Sequence, residues 1–502
     1  MSDEDLSYEP RQGSRHLTHR DADWAGLRIL VAGLGVSGFA AADALSERGA
    51  IVTAVSADAT PAIGERARIL EILDVDVRLG PEHLVAVPEG IELVVTSPGF
   101  HPGHPLLLSA AARGIPVWGE VELAWRMRAQ SGAAPWITIT GTNGKTTTVK
   151  MLACILQAAG LRATSAGNVG TPLLEAVLHP DPYDVLAVEL SSFQLHWQRS
   201  VTPVASACLN LAPDHIDWHG SFEQYRLAKA KVYAGTQIAC VYNVQDPATE
   251  AMVMDADVAE GCRAIGFTLG IPALSMVGLV DDVLADRAFV EQRRNSAAEL
   301  ATVADLQGDA PSVAPHYVAN ALAAAALARA YGVGPLSVRD GLRAFVPDPH
   351  RIADVATVDG VRFIDDSKAT NPHAAAASLA AFEHVVWIAG GLLKGADVDA
   401  LVQSVADRLR GVVLIGAERA LIAQALARHA PDVPVVDVPT TDTGVMDVVV
   451  ARASELALPG DVVLLAPAAA SFDMFASYGA RGDAFAQAVH RFASRADGSS
   501  AS

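Results

Sequence analysis

The sequence predicts an α/β protein of three domains, and three observations support this. A buried-strand pattern at residues 27–31 runs into Gly33, Gly35 and Gly38 and then into a helix. A second apolar run, residues 136–139, leads through a short glycine loop into another helix. Beyond residue 360, at least four apolar runs alternate with helical segments, which is typical of a mostly parallel sheet. The length of 502 residues agrees with about three domains.

The composition indicates a cytoplasmic protein with large apolar cores. Hydrophobic residues make up 51% of the chain and charged residues 19%, and no charge-free apolar run is long enough to predict a membrane span. The first residues lack the basic and apolar regions of a signal peptide. Four cysteines form no C-x-x-C pair, so we expect reduced thiols. The formal charge of −20 argues against a nucleic-acid partner.

Changes in composition predict the domain boundaries. Residues 1–23 are polar and charged and are expected to form a disordered tail. The first domain is predicted over 24–131, the central domain over 132–347 and the third over 348–495, with a second tail at 496–502. Between 254 and 311 the pattern is weak and predicts only short strands and loops.

The first domain begins like a Rossmann fold. Its glycines follow the G-x-G-x-x-G spacing between a strand and a helix predicted from about Phe39 to Arg48. The second strand, however, ends in Ser56-Ala57-Asp58 instead of an acidic residue that would bind a ribose, so NAD is not favoured. A later strand runs into Ser97-Pro98-Gly99 at an edge where open sheets bind ligands, although an ordinary connection is equally compatible.

The central domain carries the strongest chemical signal, Gly141-Thr142-Asn143-Gly144-Lys145-Thr146. Strand, glycine loop, Lys-Thr and helix are the parts of a phosphate-binding loop, in which Lys145 pairs with the β/γ-phosphates and the Thr146 hydroxyl holds Mg²⁺. The match is not strict, because Ile139 stands where the first glycine is expected. The alternative is a tight turn with a solvated lysine.

Three further side chains of the central domain are candidates. Glu189 ends an apolar strand and is placed to bind Mg²⁺, or is an exposed strand-end carboxylate. His215 lies in a loop after another strand, where a metal or phosphate role competes with a solvated side chain. Lys229 lies on a helical face that by itself indicates a solvated basic surface.

The third domain is expected to be a second Rossmann-like sheet. A strand at 361–364 ends in Asp365 and Asp366, and the following Ser367-Lys368 opens a helix. The Pro467–Asp473 segment lies beyond the last core strand, again at a ligand-binding edge.

From Leu27 to Phe492 the chain resembles the Mur ligase family. Several motifs in the family's order carry the resemblance: the Gly141–Thr146 loop, Gly167-Asn168-Val169-Gly170, Glu189-Leu190-Ser191-Ser192-Phe193-Gln194-Leu195, Asp214-His215-Ile216-Asp217, Tyr225-Arg226-Leu227-Ala228-Lys229, His350-Arg351, Asp366-Ser367-Lys368-Ala369-Thr370-Asn371 and Ser471-Phe472-Asp473. The Ser-Ser-Phe-Gln and Asp-Ser-Lys-Ala-Thr-Asn runs point to the D-glutamate-adding branch.

The resemblance implies an N-terminal Rossmann-like UDP-binding domain, a central P-loop ATPase-like domain and a C-terminal Rossmann-like domain. It also implies a cytoplasmic, monomeric ligase that uses ATP and Mg²⁺ to add D-glutamate to UDP-N-acetylmuramoyl-L-alanine through an acyl phosphate, in peptidoglycan precursor synthesis. The expected partners are small molecules only. The alternatives are another amide ligase of the superfamily, such as a folylpolyglutamate synthase, and a nucleotide-binding protein without catalysis.

Residue by residue, the resemblance implies four groups of contacts. The catalytic and metal residues are Lys145, Thr146, Glu189, His215 and Lys229, the last as a carbamate. The ATP contacts are Gly141, Thr142, Asn143, Gly144, Lys145, Thr146, Thr147, His316, Asn320, Arg351 and Asp366. The UDP-substrate contacts are Val36, Ser37, Ser97, Gly99, Asn168 and His215. The D-glutamate contacts are Lys368, Thr370, Lys394, Ser471 and Tyr478. Three places depart from the family pattern: Ser56-Ala57-Asp58, Tyr317 and Tyr478.

Overall fold

A computed structural model describes residues 16–307, 313–440 and 443–499. The chain divides into two compact units. The first runs to Leu211 and resumes over Glu223–Val313 and Tyr317–Phe345, and the second holds Ala212–Phe222, Ala314–His316 and the chain from Val346 onward. None of the helices in the described ranges is long and apolar enough to cross a membrane.

The first sheet is entirely parallel and has the strand order β3-β2-β1-β4-β5. Its strands are β1 (Arg28–Ala32), β2 (Ile51–Ser56), β3 (Asp76–Leu79), β4 (Leu93–Thr96) and β5 (Val117–Gly119). The helices are α1 (Val36–Ser46), α2 (Pro61–Ile72), α3 (Pro105–Ala112) and α4 (Glu120–Arg126). The first helix therefore begins at Val36, inside the glycine loop and three residues before the predicted Phe39, because Gly35 already serves as its N-cap.

The central sheet has nine strands in the order β14-β13-β12-β11-β10-β9-β6-β8-β7. They are β6 (Trp136–Thr140), β7 (Ala163–Gly167), β8 (Val185–Glu189), β9 (Ala205–Cys208), β10 (Ala239–Asn243), β11 (Arg263–Phe267), β12 (Met276–Val280), β13 (Val283–Asp286) and β14 (Ala298–Thr302). The region between 254 and 311, where only short strands and loops were predicted, contributes β11 to β14 within its described part, and β12, β13 and β14 pair antiparallel.

The helices between the central strands include α5, which follows the phosphate-loop sequence. They are α5 (Lys145–Ala158), α6 (Leu173–Leu178), α7 (Ser192–His196), α8 (Ile216–His219, in the second unit), α9 (Phe222–Ala230), α10 (Pro247–Met254), α11 (Val303–Gln307), α12 (Pro315–Ala330) and α13 (Pro335–Ala344).

The first and central sheets share one apolar core within the first unit. Trp125 of α4 lies edge-on to Trp136 of β6 at 4.9 Å between ring centroids and joins the two sheets, and Trp24 lies edge-on to Trp118 of β5 at 6.4 Å within the first. Residues 16–23, assigned by the sequence to a disordered tail, are packed here: Leu17 is fully buried, and its carbonyl accepts a hydrogen bond from Arg126. Residues 1–15 of that predicted tail lie outside the described residues.

The second unit contains a six-stranded sheet in the order β15-β16-β20-β17-β18-β19, parallel except for the β15–β16 pair. Its strands are β15 (Ala353–Val358), β16 (Val361–Asp365), β17 (Val385–Gly390), β18 (Leu409–Ile415), β19 (Val435–Asp437) and β20 (Val462–Leu465). Its longer helices are α14 (Pro372–Leu379), α15 (Asp399–Val405), α16 (Arg419–His429), α17 (Met446–Leu456) and α18 (Tyr478–Ser499), and both faces of the sheet are covered by buried apolar side chains. The Rossmann-like alternation predicted for this region is confirmed.

Candidate active site

The phosphate loop connects β6 to α5 and is held by two asparagines. Asn210 accepts a hydrogen bond from the backbone N–H of Asn143 at 2.8 Å and donates to the carbonyl of the same residue at 3.1 Å. Asn320 lies against Gly144, whose φ of +84° suits glycine and whose missing side chain would meet the Asn320 amide oxygen. The loop is thus fixed in a shape with the N-terminus of α5 at its end, a common anion-binding arrangement.

Lys145 lies across this loop. Its Nζ donates hydrogen bonds to the carbonyls of Gly141 and Thr142, both at 2.9 Å. The next two residues of α5, Thr146 and Thr147, are buried. The side-chain cation and the Thr146 hydroxyl therefore lie at the same end of α5, where the sequence placed the phosphates and a metal.

Glu189 is a buried carboxylate with spare bonding capacity. It is the last residue of β8, opposite Ile139 of β6, and is 1% exposed. One carboxylate oxygen accepts a hydrogen bond from the Asn168 side chain at 2.9 Å, whereas Oε2 has no hydrogen-bond partner among the described residues. Because a buried, unpaired carboxylate oxygen is costly, this atom fits a site for a cation. Asn168 therefore supports Glu189, in addition to its predicted substrate contact.

Lys229 reaches the same loop from α9. The side chain is 2% exposed, and its Nζ donates to the Gly141 carbonyl at 2.8 Å and to the Thr140 hydroxyl at 3.2 Å. The interpretation of a solvated face is therefore wrong for this residue. Tyr225, one turn earlier, shares a 2.9 Å hydrogen bond with the Thr142 hydroxyl. Neither Tyr225 nor Asn210 was singled out from the sequence as a binding residue.

His215 belongs to the second unit and precedes the short helix α8. Its backbone is left-handed, with φ +52°, and its N–H donates to the carboxylate of Asp214 at 3.0 Å. In the part of the chain that the structure describes, no three His, Cys, Asp or Glu side chains cluster as metal ligands. The predicted metal ligands are not a cluster of this type. Only Glu189 and His215 are among these residue types, and the other two ligands would be the Thr146 hydroxyl and a carbamylated Lys229.

The predicted UDP contacts of the first sheet lie on two neighbouring strand ends. Val36 and Ser37 open α1 after β1, and Ser97 and Gly99 follow β4, which pairs with β1. The Ser97 hydroxyl donates to the carbonyl of Gly33 at 3.4 Å, joining the two loops. The structure thus brings these four residues to one edge of the sheet.

The predicted D-glutamate contacts gather at an edge of the six-stranded sheet. The Lys368 Nζ lies 3.8 Å from the Tyr478 ring centroid. Two hydrogen bonds between Leu392 and Ala470, both 2.9 Å, bring the loop with Lys394 beside the segment with Ser471. The buried Ser471 hydroxyl has no partner among the described residues. Thr370 lies two residues after Lys368, and its N–H bonds to the Lys368 carbonyl.

A buried arginine that sequence reasoning missed holds this edge together. Arg481 of α18 is 1% exposed and donates to the carbonyl and hydroxyl of Ser367 and to the carbonyl of Ala469 at 2.9–3.1 Å. Burial lowers its pKa to about 10, with Asp473 and Asp365 opposing. It therefore remains charged at neutral pH and joins two of the predicted substrate loops.

Asp366 follows β16 in the same unit and lies close to Arg351. Burial raises the pKa of Asp366 to about 7, and this shift is opposed by a hydrogen bond from Ser378 and by the charge of Arg351. The structure therefore brings two of the predicted ATP contacts together. Two further ATP contacts were predicted outside the phosphate-loop sequence. Asn320 lies at the phosphate loop, and His316 belongs to the second unit.

Comparison with known proteins identifies the family. Three family models match: the MurD-like N-terminal domain over 27–119, the Mur ligase middle domain over 139–328 and the Mur ligase glutamate ligase domain over 350–469. The UDP-N-acetylmuramoylalanine–D-glutamate ligase of Streptomyces avermitilis is 61% identical over 467 residues, covering 93% of this chain and 98% of that protein. The protein of the same name from Streptomyces coelicolor is 60% identical over 470 residues, covering 93% and 98%.

A solved structure extends the likeness to the fold. The UDP-N-acetylmuramate-alanine ligase MurC of Thermotoga maritima superposes with a TM-score of 0.53 at 18% identity, covering 93% of this chain and 99% of that one. On the sequence matches, which span nearly the whole chain, this protein belongs to the Mur ligase family.

Proposed function

We propose that this protein is an ATP-dependent ligase that joins D-glutamate to UDP-N-acetylmuramoyl-L-alanine and acts in the cytoplasm in peptidoglycan precursor synthesis. The observation that carries the proposal is the 61% identity, over 93% of the chain, to a relative named for this reaction. The arrangement of Lys145, Glu189 and Lys229 around one glycine loop supports it. A folylpolyglutamate synthase or a non-catalytic nucleotide binder has no comparable support.

The phosphate loop would bind the ATP phosphates. On binding ATP, Lys145 would replace its hydrogen bonds to two loop carbonyls with bonds to phosphate oxygens. Its cation would then lie where negative charge develops during phosphoryl transfer. The asparagine contacts at Asn143 and Gly144 hold the loop, so that little reorganisation accompanies binding. The substrate carboxylate would accept the γ-phosphoryl group of ATP with release of ADP. The amine would then attack the acyl phosphate, displace inorganic phosphate and lose a proton as the amide forms.

Thr146 and Glu189 would hold Mg²⁺, and Glu189 offers a carboxylate oxygen that has no hydrogen-bond partner within the described part of the chain. When bound, Mg²⁺ neutralises charge on the phosphoryl oxygens. A second ion would need a carbamylated Lys229, because a lysine ammonium repels a cation. In carbamylation the deprotonated lysine amine adds CO₂ and loses a proton, so that a carboxylate takes the place of the ammonium.

In the second unit, Lys368 and the Ser471 hydroxyl are suited to the D-glutamate carboxylates. Lys368 supplies a cation held over the Tyr478 ring, and the Ser471 hydroxyl supplies a buried polar group that no described residue hydrogen-bonds. Lys394 is an exposed cation next to the same loop. Thr370 would add a hydroxyl. Together these groups favour an acidic amino acid as the amine substrate.

The test is a phosphate-release assay on the purified protein with ATP, the UDP-muramoyl substrate and a panel of amino acids. We expect release to require both the nucleotide substrate and D-glutamate, and to fall at least about tenfold with L-glutamate or D-aspartate. Release driven by a folate and glutamate would favour the rival ligase. Nucleotide binding with no release under any combination would favour the non-catalytic binder.

A further inference from the structure

The loop after β17 is bonded to its neighbours on two sides. On one side, Leu392 and Ala470 exchange two backbone hydrogen bonds of 2.9 Å each. On the other side, the backbone N–H of Leu393 donates to a carboxylate oxygen of Glu418. The backbone immediately before Lys394 is therefore held from both directions.

Glu418 directs its side chain away from the helix that it begins. It is the N-cap residue of α16, yet within the described residues its side chain makes no capping hydrogen bond. Ser, Thr, Asp and Asn are the usual caps, because their short side chains reach the first free N–H groups. The longer Glu418 side chain instead reaches Leu393, and its backbone N–H donates to the Gly391 carbonyl at 3.2 Å. The carboxylate thus binds the neighbouring loop and not its own helix.

Lys394 has a backbone conformation that depends on such contacts. Its φ is +55°, in the left-handed region that is unfavourable for a residue with a Cβ. A conformation of this kind persists where the surrounding structure fixes it. The Lys394 side chain is exposed, so its direction is set by the backbone and not by packing. Holding Leu393 therefore limits the positions that the Lys394 ammonium can reach.

The loop after β18 connects this lysine to the other strand ends of the sheet. β17 lies between β18 and β20 and is parallel to both, so the loops that follow these three strands meet at one edge. The Ala417 N–H donates to Asp473 Oδ2 at 2.7 Å, which joins the loop after β18 to the segment after β20. Glu418, the next residue, joins the same loop to the one that carries Lys394.

We propose that Glu418 is a positioning residue for the amino-acid substrate, because its bond to Leu393 fixes the Lys394 ammonium where a substrate carboxylate binds. The proposal rests on the proposed function, in which Lys394 is one of the D-glutamate contacts. Without this bond, the loop and its lysine become ordered only when the substrate binds, and the cost of that ordering lowers the affinity. The bond is remote from the phosphate loop in sequence and belongs to the second unit, so the loss falls on KM and not on kcat.

The test is steady-state kinetics of Glu418→Ala in the full-length protein. We expect the KM for D-glutamate to rise about fivefold to tenfold, whereas kcat and the KM values for ATP and the nucleotide substrate stay within about twofold. Asp399→Asn is the matched control, because Asp399 accepts hydrogen bonds from Arg428 and His429 at the other end of α16. This control should leave all three KM values within about twofold. An unchanged KM for D-glutamate in Glu418→Ala, or an equal rise in all three KM values, overturns the proposal.

Glu418→Gln distinguishes a hydrogen-bond acceptor from a negative charge, and it keeps the size of the side chain should Glu418→Ala not fold. The glutamine amide oxygen can still accept the bond from Leu393, so we expect the KM for D-glutamate to stay within about threefold of wild type. A residue that acted only as a charge at the N-terminus of α16 would lose the same function in both variants. Equal rises in Glu418→Gln and Glu418→Ala would therefore contradict the proposal.

A double-mutant cycle tests whether Glu418 acts through Lys394. Lys394→Ala alone should raise the KM for D-glutamate at least about tenfold, because a cation that pairs with a carboxylate is lost. Adding Glu418→Ala to this variant should change the KM by less than about twofold, since the side chain that Glu418 positions is already absent. Full additivity of the two substitutions would contradict the positioning role.

Hydrogen exchange in the ligand-free protein separates this inference from the proposed function. We expect the Leu393 amide to exchange at least about tenfold faster in Glu418→Ala than in wild type, because its hydrogen-bond acceptor is removed. Unchanged exchange would show that the bond does not hold the loop, and the inference would fail. If the wild-type protein releases no phosphate with D-glutamate, the proposed function fails instead. If it does, and the KM for D-glutamate is unchanged in Glu418→Ala, only the positioning role is wrong.

Discussion

Two strand-end edges of this molecule use charge in different ways. At the central sheet, the cations Lys145 and Lys229 are bonded to backbone carbonyls of the phosphate loop, and one Glu189 oxygen has no hydrogen-bond partner among the residues that the structure covers. At the six-stranded sheet, the ionisable groups bond to fixed protein partners: Arg481 to Ser367, and Asp366 to Ser378. The first edge can exchange its partners for ligand atoms, whereas the second is a preformed scaffold around a few ligand-facing groups.

The largest effect is expected from a substitution in the phosphate loop, at the strand-end edge of the central sheet. Lys145→Ala removes the cation that stabilises the transferred phosphoryl group, so we expect turnover to fall by at least about a hundredfold. The two Lys145 bonds to the carbonyls of Gly141 and Thr142 lie within its own loop, so we expect the thermal unfolding temperature to change little. Phosphate release is the measurement, and Lys150→Ala on the same helix is the control. Activity within about tenfold of wild type would refute the assignment of this loop.

Lys229→Ala tests whether the second lysine of that edge acts as a carboxylate. We expect a loss of most activity, on the order of a hundredfold, with partial recovery in formate or acetate, which would stand in for a carbamate. Lys231→Ala is a matched control, because Lys231 also donates to a backbone carbonyl, that of His196 at 3.1 Å. A crystal structure showing an unmodified Lys229 in active, substrate-bound protein would contradict the carbamate, and loss without rescue would leave Lys229 as a structural cation.

The scaffold edge should instead respond to pH through stability. Burial raises the pKa of Asp366 to about 7, with Ser378 and Arg351 opposing. When the pKa of a carboxyl group is higher in the folded than in the unfolded protein, its protonated form stabilises the fold. This stabilisation is complete at a pH below the pKa of the unfolded state, and it is lost as the pH rises through the pKa of the folded state. The asparagine of Asp366→Asn cannot titrate. Between about pH 5 and pH 8 the free energy of unfolding should therefore fall less in this variant than in wild type, and the two falls should differ by up to a few kcal/mol. Urea unfolding across that range is the measurement, and parallel curves for the two proteins would show that Asp366 does not titrate there.

The two edges also differ in how much of their structure could be predicted from the sequence. Strands such as β8 and β17 were predicted because they are continuous apolar runs buried on both faces. The edge strand β19 was missed, since its three residues are largely exposed and give no such run. The phosphate loop is visible as a local motif, and the family resemblance supplied Lys229, whose local pattern indicated a solvated face. Asn210 and Arg481 were missed because their roles depend on contacts with residues distant in sequence, which spacing does not reveal.

The smallest effect is expected at Tyr478, which lies beside Lys368 at the edge of the six-stranded sheet. The Lys368 Nζ lies 3.8 Å from the Tyr478 ring centroid, so the ring holds the cation in place for a substrate carboxylate. A cation over an aromatic ring at a partly exposed site is stabilised by about 0.5–1 kcal/mol, so Tyr478→Leu should raise the KM for D-glutamate about twofold to fivefold. Tyr478→Phe keeps the ring and should have a smaller effect than Tyr478→Leu, which addresses the departure from the family pattern at this position. Steady-state kinetics with D-glutamate varied at saturating ATP and nucleotide substrate measures both. If Tyr478→Phe raises the KM as much as Tyr478→Leu, the hydroxyl and not the ring is the contact that matters, and the departure at Tyr478 then has a function of its own in binding the amino acid.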